Sequence, residues 1–327
     1  MAYDDRSVKP MSASLMRARV ATRVLAGMYE AAPALLTSAV RMSVELPGGA
    51  RPAGPPYPFT FAVSPAWCSG LEGARLVGTG KLDVAWINPS VITTMAYLGK
   101  GPFRRRYPLR ALAVFPSWDR LVVAVAGNLG IRSMDELIEK RPALNASVAT
   151  NDCVDFAIAA MLKAHGLKLD SFGKVEFVER PSNPRRRDGI VSGEINMVVD
   201  EGLDSWGDVA VKHGFVFLPF SRKALLKLER YGFRRAPLGG GRLKGNFDPA
   251  IEVVDYSGWP IVTHVNFPDD LAYHFVAALE KIREEIPYDA AGVPAMSSFC
   301  RGTEEGPLDI PLHPGAERYY REKDYLE

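Results

Sequence analysis

The chain has 327 residues, of which 47% are hydrophobic and 24% charged, as expected for a globular protein with one large or two smaller domains. A net charge of +2 gives no basis for nucleic-acid binding or for attraction to an anionic membrane. The cysteines Cys68, Cys153 and Cys300 lie far apart and predict neither a disulfide framework nor a zinc site.

The first 40 residues predict an amphipathic helical extension rather than an export signal. Asp4, Asp5 and Pro10 lie where a signal peptide would have a basic segment followed by an apolar one. Arg17 and Arg23 interrupt the later apolar stretch, which is therefore too polar to span a membrane. The sequence alone predicts a cytoplasmic location, unless the natural start lies further upstream.

Strands and helices alternate along the next part of the chain. Strands are predicted at 59–63, 83–87, 109–115 and 121–125, with helices after the first two. This alternation is typical of βαβ units with right-handed crossovers.

A second block begins at the capping-box pattern of Ser133 and Glu136. The arginine run 185–187 is expected to lie on a solvated helix face. Further strands are predicted at 145–149, 175–178, 195–199, 215–218, 251–255 and 260–265, and helices at 153–165 and 269–285.

The order of these blocks predicts an α/β fold of two βα lobes, because the chain leaves the first block and later returns to it. We expect the N-terminal extension over 1–40, the first lobe over 41–126 plus 251–327, and the second lobe over 127–250. The chain is expected to cross between the lobes near 125–127 and again near 245–251.

The C-terminal segment 311–322 (PLHPGAERYYRE) resembles the closing signature of the TAXI group of TRAP-transporter solute receptors. Segments 80–85, 96–103, 109–112 and 129–137 are similar to other family segments and follow in the same order. The resemblance implies a type II periplasmic-binding-protein fold, two lobes joined by a hinge, and a periplasmic location. It also implies a small-molecule ligand, expected to be an organic acid, and TRAP membrane subunits as partners.

The chain departs from this family in two places. Thr150, Asn151, Asp152 and Cys153 stand where the family has a Gly-Ser-Gly-Thr turn before a helix of the second lobe. Residues 11–58 replace the family's first strand and its glycine-rich turn. As a helix, segment 311–322 would begin near Pro314 and dock through its tyrosines.

In such a fold the ligand lies between the lobes, at the carboxyl ends of strands and the N-termini of helices. Free N–H groups and the helix dipole meet there and favour a carboxylated ligand. The residues predicted to bind it are Ser64, Trp67, Asn88, Ser90, Trp118, Thr150, Asn151, Asp200, Glu201 and Tyr256.

Each of these residue types also has a structural alternative. The hydroxyl side chains could cap helices, and the tryptophans could belong to the core. Asp200 and Glu201 could bind a cation or an amine, or pair with an arginine across the cleft.

The sequence leaves two functions open. The first is a solute receptor that closes its lobes on a small ligand, and the alternative is a cytoplasmic enzyme on the same fold, such as an aromatic-acid decarboxylase. No catalytic residue, metal or cofactor is predicted, because no histidine is placed in the sequence to activate Cys153.

Overall fold

The computed structural model describes residues 23–24, 42–45, 61–64, 70–150, 152–178, 183–239, 241, 243, 250–286 and 292–327. At 42–45, 61–64, 152 and 285 the description covers the backbone alone. The predicted N-terminal helix lies outside these residues apart from Arg23 and Val24, which are helical. Val24 is buried against the first lobe.

The first lobe is built on a five-stranded sheet with the order β2-β1-β3-β12-β4. Strands β1, β2 and β3 are parallel, and β12 runs antiparallel to both of its neighbours. The strands are β1 (Met42–Glu45), β2 (Phe61–Ser64), β3 (Val84–Trp86), β4 (Leu109–Phe115) and β12 (Trp259–His264). The helices are α1 (Leu71–Gly78), α2 (Ser90–Leu98), α8 (Asp269–Lys281) and α9 (Pro314–Glu322).

Both faces of this sheet are covered. Residues of α1 and α2 pack on one face, whereas residues of α8 and α9 pack on the other. All three residues of β3 are buried, and so are all of β4 except Arg110. Continuous burial of this kind is expected for strands that are covered on both faces, and it explains their apolar sequences.

The second lobe is built on a seven-stranded sheet with the order β10-β11-β5-β8-β6-β7, and β9 also pairs with β5. Its strands are β5 (Arg120–Ala126), β6 (Leu144–Ala149), β7 (Gly173–Val178), β8 (Met197–Asp200), β9 (Phe215–Phe217), β10 (Arg235–Leu238) and β11 (Ile251–Asp255). Its helices are α3 (Met134–Lys140), α4 (Asp152–His165), α5 (Pro184–Ser192), α6 (Leu203–Lys212) and α7 (Arg222–Tyr231).

The two sheets share one strand order. The first sheet contains the order β2-β1-β3-β12-β4, and the second contains the corresponding order β7-β6-β8-β5-β9. In each case three parallel strands are followed by one antiparallel strand and then by a fourth strand. The antiparallel strands are β12 in the first sheet and β5 in the second, and each follows directly after the chain has changed lobes. This topology confirms the two-lobed α/β fold that the resemblance to type II periplasmic-binding proteins implied.

The chain changes sheet at residues 116–119, between β4 and β5, and at residues 256–258, between β11 and β12. The predicted crossings, near 125–127 and 245–251, would instead place β5 and β11 in the first lobe. In the sequence each pair of strands is separated only by a short turn, which is typical of neighbours in one sheet. Here each pair is divided between two sheets, and we propose that the lobe boundaries follow the sheets.

Two strands were missed by the sequence analysis. Strand β1 lies within residues 11–58, the segment that was expected to replace a first strand. Its four residues are too few for a pattern of alternation to stand out. Strand β10 contains Pro237, and it lies at the edge of the sheet, where the missing N–H of proline is tolerated.

Helix α9 docks through its tyrosines, as predicted. Tyr320 is fully buried, and its hydroxyl donates to the Leu112 carbonyl at 3.0 Å. A side chain at Gly315 would place its Cβ 1.9 Å from the Asp269 carbonyl oxygen, so only glycine fits at this contact.

Cys153 and Cys300 are buried, and neither forms a disulfide, whereas Cys68 lies outside the described residues. Of the helices that the structure describes, none has the length and apolar character required to cross a bilayer. The described residues also contain no group of three or more His, Cys, Asp or Glu side chains suited to holding a metal ion.

Candidate functional site

The two crossings between the lobes lie side by side and form one hydrogen-bonded connection. We call residues 116–119 and 256–258 together the crossover pair. The Tyr256 N–H donates to the Asp119 carbonyl at 3.0 Å, and the Gly258 N–H donates to the Ser117 carbonyl at 2.8 Å. The Ser257 hydroxyl accepts from the Asp119 N–H at 2.9 Å. Movement of one lobe relative to the other must therefore pass through both segments together.

The Arg120 side chain bonds residues of both lobes beside the crossover pair. Its side chain is fully buried, and Nη1 donates to Asp255 at 3.0 Å and to the Ser257 hydroxyl at 2.8 Å. Nη2 donates to Glu304 at 2.7 Å, and the guanidinium lies 4.7 Å from the centre of the Trp118 ring. A buried guanidinium is tolerated when its donors are satisfied in this way.

Ser90 connects the first lobe to the crossover pair. It is buried at the start of α2, and its backbone N–H and its hydroxyl both donate to the Ser257 carbonyl, at 3.2 and 2.7 Å. Its hydroxyl also contacts Arg234, which reaches from the second lobe and pairs with Asp255 and Asp309. The side chain predicted to meet ligand is therefore bonded within the protein.

Asn88 lies directly before α2 and is partly exposed. Its Oδ1 atom is buried and has no hydrogen-bond partner among the described residues. A buried amide oxygen without a partner is rare in folded proteins. Of the predicted first-lobe residues described with side chains, Asn88 is the one with an unsatisfied polar atom.

Asp200 is fully buried at the end of β8 and pairs with Arg186 of α5. Arg186 is also fully buried, and its Nε donates to the Ser147 hydroxyl at 2.9 Å. The partner arginine thus comes from the same lobe, not from across the cleft. The expectation that residues 185–187 form a solvated face is correspondingly wrong for Arg186.

Asp119 connects the crossover pair to the start of helix α6. Its carboxylate accepts from the Gly202 N–H at 2.8 and 3.0 Å and from the Arg120 N–H at 2.7 Å. Gly202 has a φ of 67°, a left-handed conformation that glycine adopts without a steric penalty. A carboxylate is favoured at this position by the helix dipole.

The carboxyl groups of Asp119, Asp200 and Glu201 lie close enough together to shift one another's pKa. Burial raises the pKa of Asp119 to about 6 and the pKa of Asp200 to about 7. Burial also raises the pKa of Glu201 well above its usual range, and the charges of Asp119 and Asp200 raise it further. We therefore expect Glu201 to stay protonated to a higher pH than an exposed glutamate.

The structure places the other predicted residues in three settings. Trp118 and Tyr256 are buried within the crossover pair. The Thr150 hydroxyl donates to Asp155 at 3.2 Å, beside a cavity of about 340 Å³ at the ends of β6 and β7. The cavity is lined by Val148, Ala149, Thr150, Asp155, Ile158, Leu169 and Phe177. The Ser64 side chain, Trp67 and Asn151 lie outside the described residues.

The crossover pair thus brings together Ser90, Trp118, Asp200, Glu201 and Tyr256. The arginines around them could not be identified from the sequence. Their partners are distant in the chain, since Asp255 lies 135 residues from Arg120 and Ser90 lies 144 residues from Arg234. Ligand binding by the predicted residues stays a prediction.

No family model matches the chain. Solute-binding proteins of transporters are among the solved structures with a similar fold. The structure of a periplasmic transporter is 12% identical, covers 94% of this chain and 88% of that chain, and has a TM-score of 0.41. PhnD1 from Prochlorococcus marinus in complex with methylphosphonate is 10% identical, covers 94% of both chains, and has a TM-score of 0.39.

An enzyme complex is also among the similar structures. The ATP phosphoribosyl transferase (HisG:HisZ) complex from Thermotoga maritima is 10% identical, covers 69% of this chain and 79% of that chain, and has a TM-score of 0.35. At these identities and scores, the similarity identifies neither a ligand nor the residues that would contact one.

Proposed function

We propose that this protein is a solute-binding receptor whose two lobes close on a small ligand. The observation that supports this function is the arrangement of two lobes of equal strand order around one crossover pair. Two rigid βα units that are joined by a short connection can rotate relative to each other about that connection. The ligand would lie between the lobes, where strands end and helices begin.

We further propose an organic acid as the ligand and a TAXI-type relationship for the receptor, with TRAP membrane subunits as partners. The support for the relationship is segment 311–322, whose tyrosines hold α9 on the first lobe. The start of α6 already holds the carboxylate of Asp119, so a ligand carboxylate needs a different helix start. We propose the start of α4, beside Thr150 and the cavity of about 340 Å³, as that helix start.

A thermal-shift screen with carboxylic acids, amino acids and amines tests the proposal. A ligand that binds only the folded state raises the melting temperature in proportion to its concentration and affinity. We expect a carboxylic acid to give the largest shift. No shift with any class at millimolar concentration would argue against a receptor for such molecules.

The site is tested with Thr150→Ala and Asn151→Ala. Each should weaken binding of the compound found in the screen by about 1–2 kcal/mol, the usual loss for a hydrogen bond to a charged group. Thr79→Ala is the matched control, because its hydroxyl is exposed at the end of α1 and bonds only backbone carbonyls. Unchanged affinity in both site variants would move the site elsewhere.

The environment of two carboxyl groups favours the enzyme alternative. Burial raises the pKa of Asp119 to about 6 and that of Glu201 well above its usual range, and acid–base catalysts use carboxyl groups whose pKa values are shifted in this way. If the protein is a decarboxylase of aromatic acids, incubation with the compound from the screen should consume it and release carbon dioxide. Recovery of the intact compound after prolonged incubation supports the receptor instead.

A further inference from the structure

Part of the C-terminal segment lies across the crossover pair. We call residues 304–309 the strap. On one crossing the Ser117 N–H donates to the Glu305 carbonyl of the strap at 2.8 Å. On the other crossing a Cβ placed on Gly258 would lie 3.0 Å from the Pro307 ring, so the backbone approaches the strap closely there. The strap therefore contacts both crossings.

An acidic residue stands at each end of the strap, and each pairs with an arginine of the second lobe. Glu304 accepts from Arg120 at 2.7 Å. Asp309 accepts from Arg234. The two arginines share Asp255, which accepts from Arg120 at 3.0 Å and from Arg234 at 2.9 Å. Charges of alternating sign thus run from the strap into the second lobe and back to the strap.

Arg234 joins the second lobe to helix α2 of the first lobe. Its backbone carbonyl accepts from the Asp255 N–H at 2.9 Å, which holds the residue to the second sheet. Its guanidinium donates to the Ser90 hydroxyl at the start of α2. Asp309 is fixed to the same helix, because the Thr94 hydroxyl donates to it at 3.0 Å. One side chain of the second lobe therefore bonds two residues held by α2.

We propose that Arg234 is a latch between the lobes, and that its bonds to Ser90 and Asp309 restrict rotation about the crossover pair. Rotation of the second lobe moves Arg234 relative to α2, so these two bonds lengthen or break, whereas Asp255 moves together with Arg234. Charge-assisted bonds are stronger when water is largely excluded, and the Arg234 side chain is only 23% exposed. The latch therefore favours the lobe arrangement of this structure over rotated ones.

The neighbouring arginine provides a matched control. Arg235 pairs with Glu229 at 3.0 Å and with Glu252 at 3.4 Å. Both partners belong to the second lobe, one on α7 and the other on β11. Arg234→Met and Arg235→Met thus remove one positive charge each from adjacent positions, but only the first removes bonds between the lobes.

Double electron–electron resonance between two spin labels measures the distances between the lobes in the protein without ligand. Thr79→Cys at the end of α1 and Lys212→Cys at the end of α6 place one label on each lobe, at exposed positions. Cys68→Ser removes one native thiol from the labelling reaction. Cys153 and Cys300 are buried and are kept.

We expect a narrow distance distribution in the labelled parent protein. In Arg234→Met the population outside that range should rise about fivefold or more, because the bonds that select one arrangement are lost. Arg235→Met should reproduce the parent distribution. Equal distributions in Arg234→Met and Arg235→Met, whether narrow or broad, would overturn the latch.

A second variant keeps the test decisive if Arg234→Met does not fold. Asp309→Asn removes the charge on the first lobe and leaves Arg234 paired with Asp255. The distance distribution of Asp309→Asn should broaden in the same direction as that expected for Arg234→Met. A folded Asp309→Asn protein with the parent distribution would overturn the latch.

The latch rests on the proposed function, which requires the lobes to rotate. The two proposals nevertheless fail separately, because the distances are measured without ligand and the screen uses the unlabelled protein. A broader distribution in Arg234→Met supports the latch even when the screen finds no ligand. A ligand that closes the lobes, together with an unchanged distribution in Arg234→Met, overturns the latch alone.

Discussion

Neighbouring residues of one arginine run have opposite environments. Arg185 is exposed and pairs with Glu176 at 2.8 Å and Glu194 at 2.9 Å, whereas Arg186 is fully buried against Asp200. Successive residues of a helix point about 100° apart, so a run of three cannot share one face. The sequence shows the charges, but only the position of α5 against β8 decides which one is buried.

This contrast gives a matched pair of substitutions. Arg186→Met should lower the free energy of unfolding by about 3–5 kcal/mol, because it leaves the buried carboxyl of Asp200 without its partner. Arg185→Met removes an exposed pair and should cost less than about 1 kcal/mol. Urea denaturation of both variants measures the difference. Equal costs would contradict the assignment of Arg186 as the buried partner.

Asp200 and Glu201 are candidate site residues in the sequence because acidic residues directly after a predicted strand have no evident structural task. Their burial and their partners could not be predicted, since Asp119 and Gly202 lie 83 residues apart and meet only in the folded chain. A single sequence does not contain contacts of this range.

At the level of elements, helix starts and ends could be predicted well, because they depend on neighbouring residues. The predicted helix start is confirmed, because the Ser133 hydroxyl accepts from the Glu136 N–H at 3.2 Å at the start of α3. The Glu136 carboxylate accepts from the Arg132 N–H at 3.3 Å, one residue before the position that a capping box uses. Helix α4 begins and ends within a residue of the prediction. The assignment of strands to sheets was predicted less well, since strand pairing depends on the path of the chain after each turn.

The docking of α9 gives a test at this scale. Tyr320→Phe should lower the free energy of unfolding by about 1–2 kcal/mol, because the buried Leu112 carbonyl loses its donor. Tyr273→Phe removes an exposed hydroxyl that bonds Glu322 and should cost less than about 0.5 kcal/mol. The urea midpoints at constant slope report both values. A Tyr320 variant as stable as the control would show that the hydroxyl does not hold α9.

At the scale of the whole molecule, an apolar cluster extends from α2 of the first lobe into the second lobe. It includes Val91 and Met95 as well as Val123 and Val198. A side chain at Gly101 would meet both Met95 and Phe156, so the two lobes are in contact there. The two-lobed fold could be predicted from the sequence, whereas the contacts between the lobes could not.

The buried carboxyl groups make stability depend on pH. The pKa of Asp119 rises from 3.8 to about 6 and that of Asp200 from 3.8 to about 7, so the folded chain binds more protons than the unfolded chain between these limits. The free energy of unfolding contributed by these groups should therefore fall as the pH rises from about 4 to about 7.

Urea denaturation of the wild-type protein and of Glu201→Gln across this range measures the effect. The variant lacks one of the groups with a raised pKa, so its stability should fall less steeply with increasing pH. A wild-type stability that rises relative to the variant over the same range would contradict the assignment of a proton to Glu201.

The central claim is that the two lobes close on a small ligand about the crossover pair. Small-angle X-ray scattering with and without a saturating amount of the compound found in the screen tests it most directly. We predict that the radius of gyration, about 20 Å for a compact chain of this length, decreases when the compound binds. A radius that stays the same at full occupancy would contradict closure.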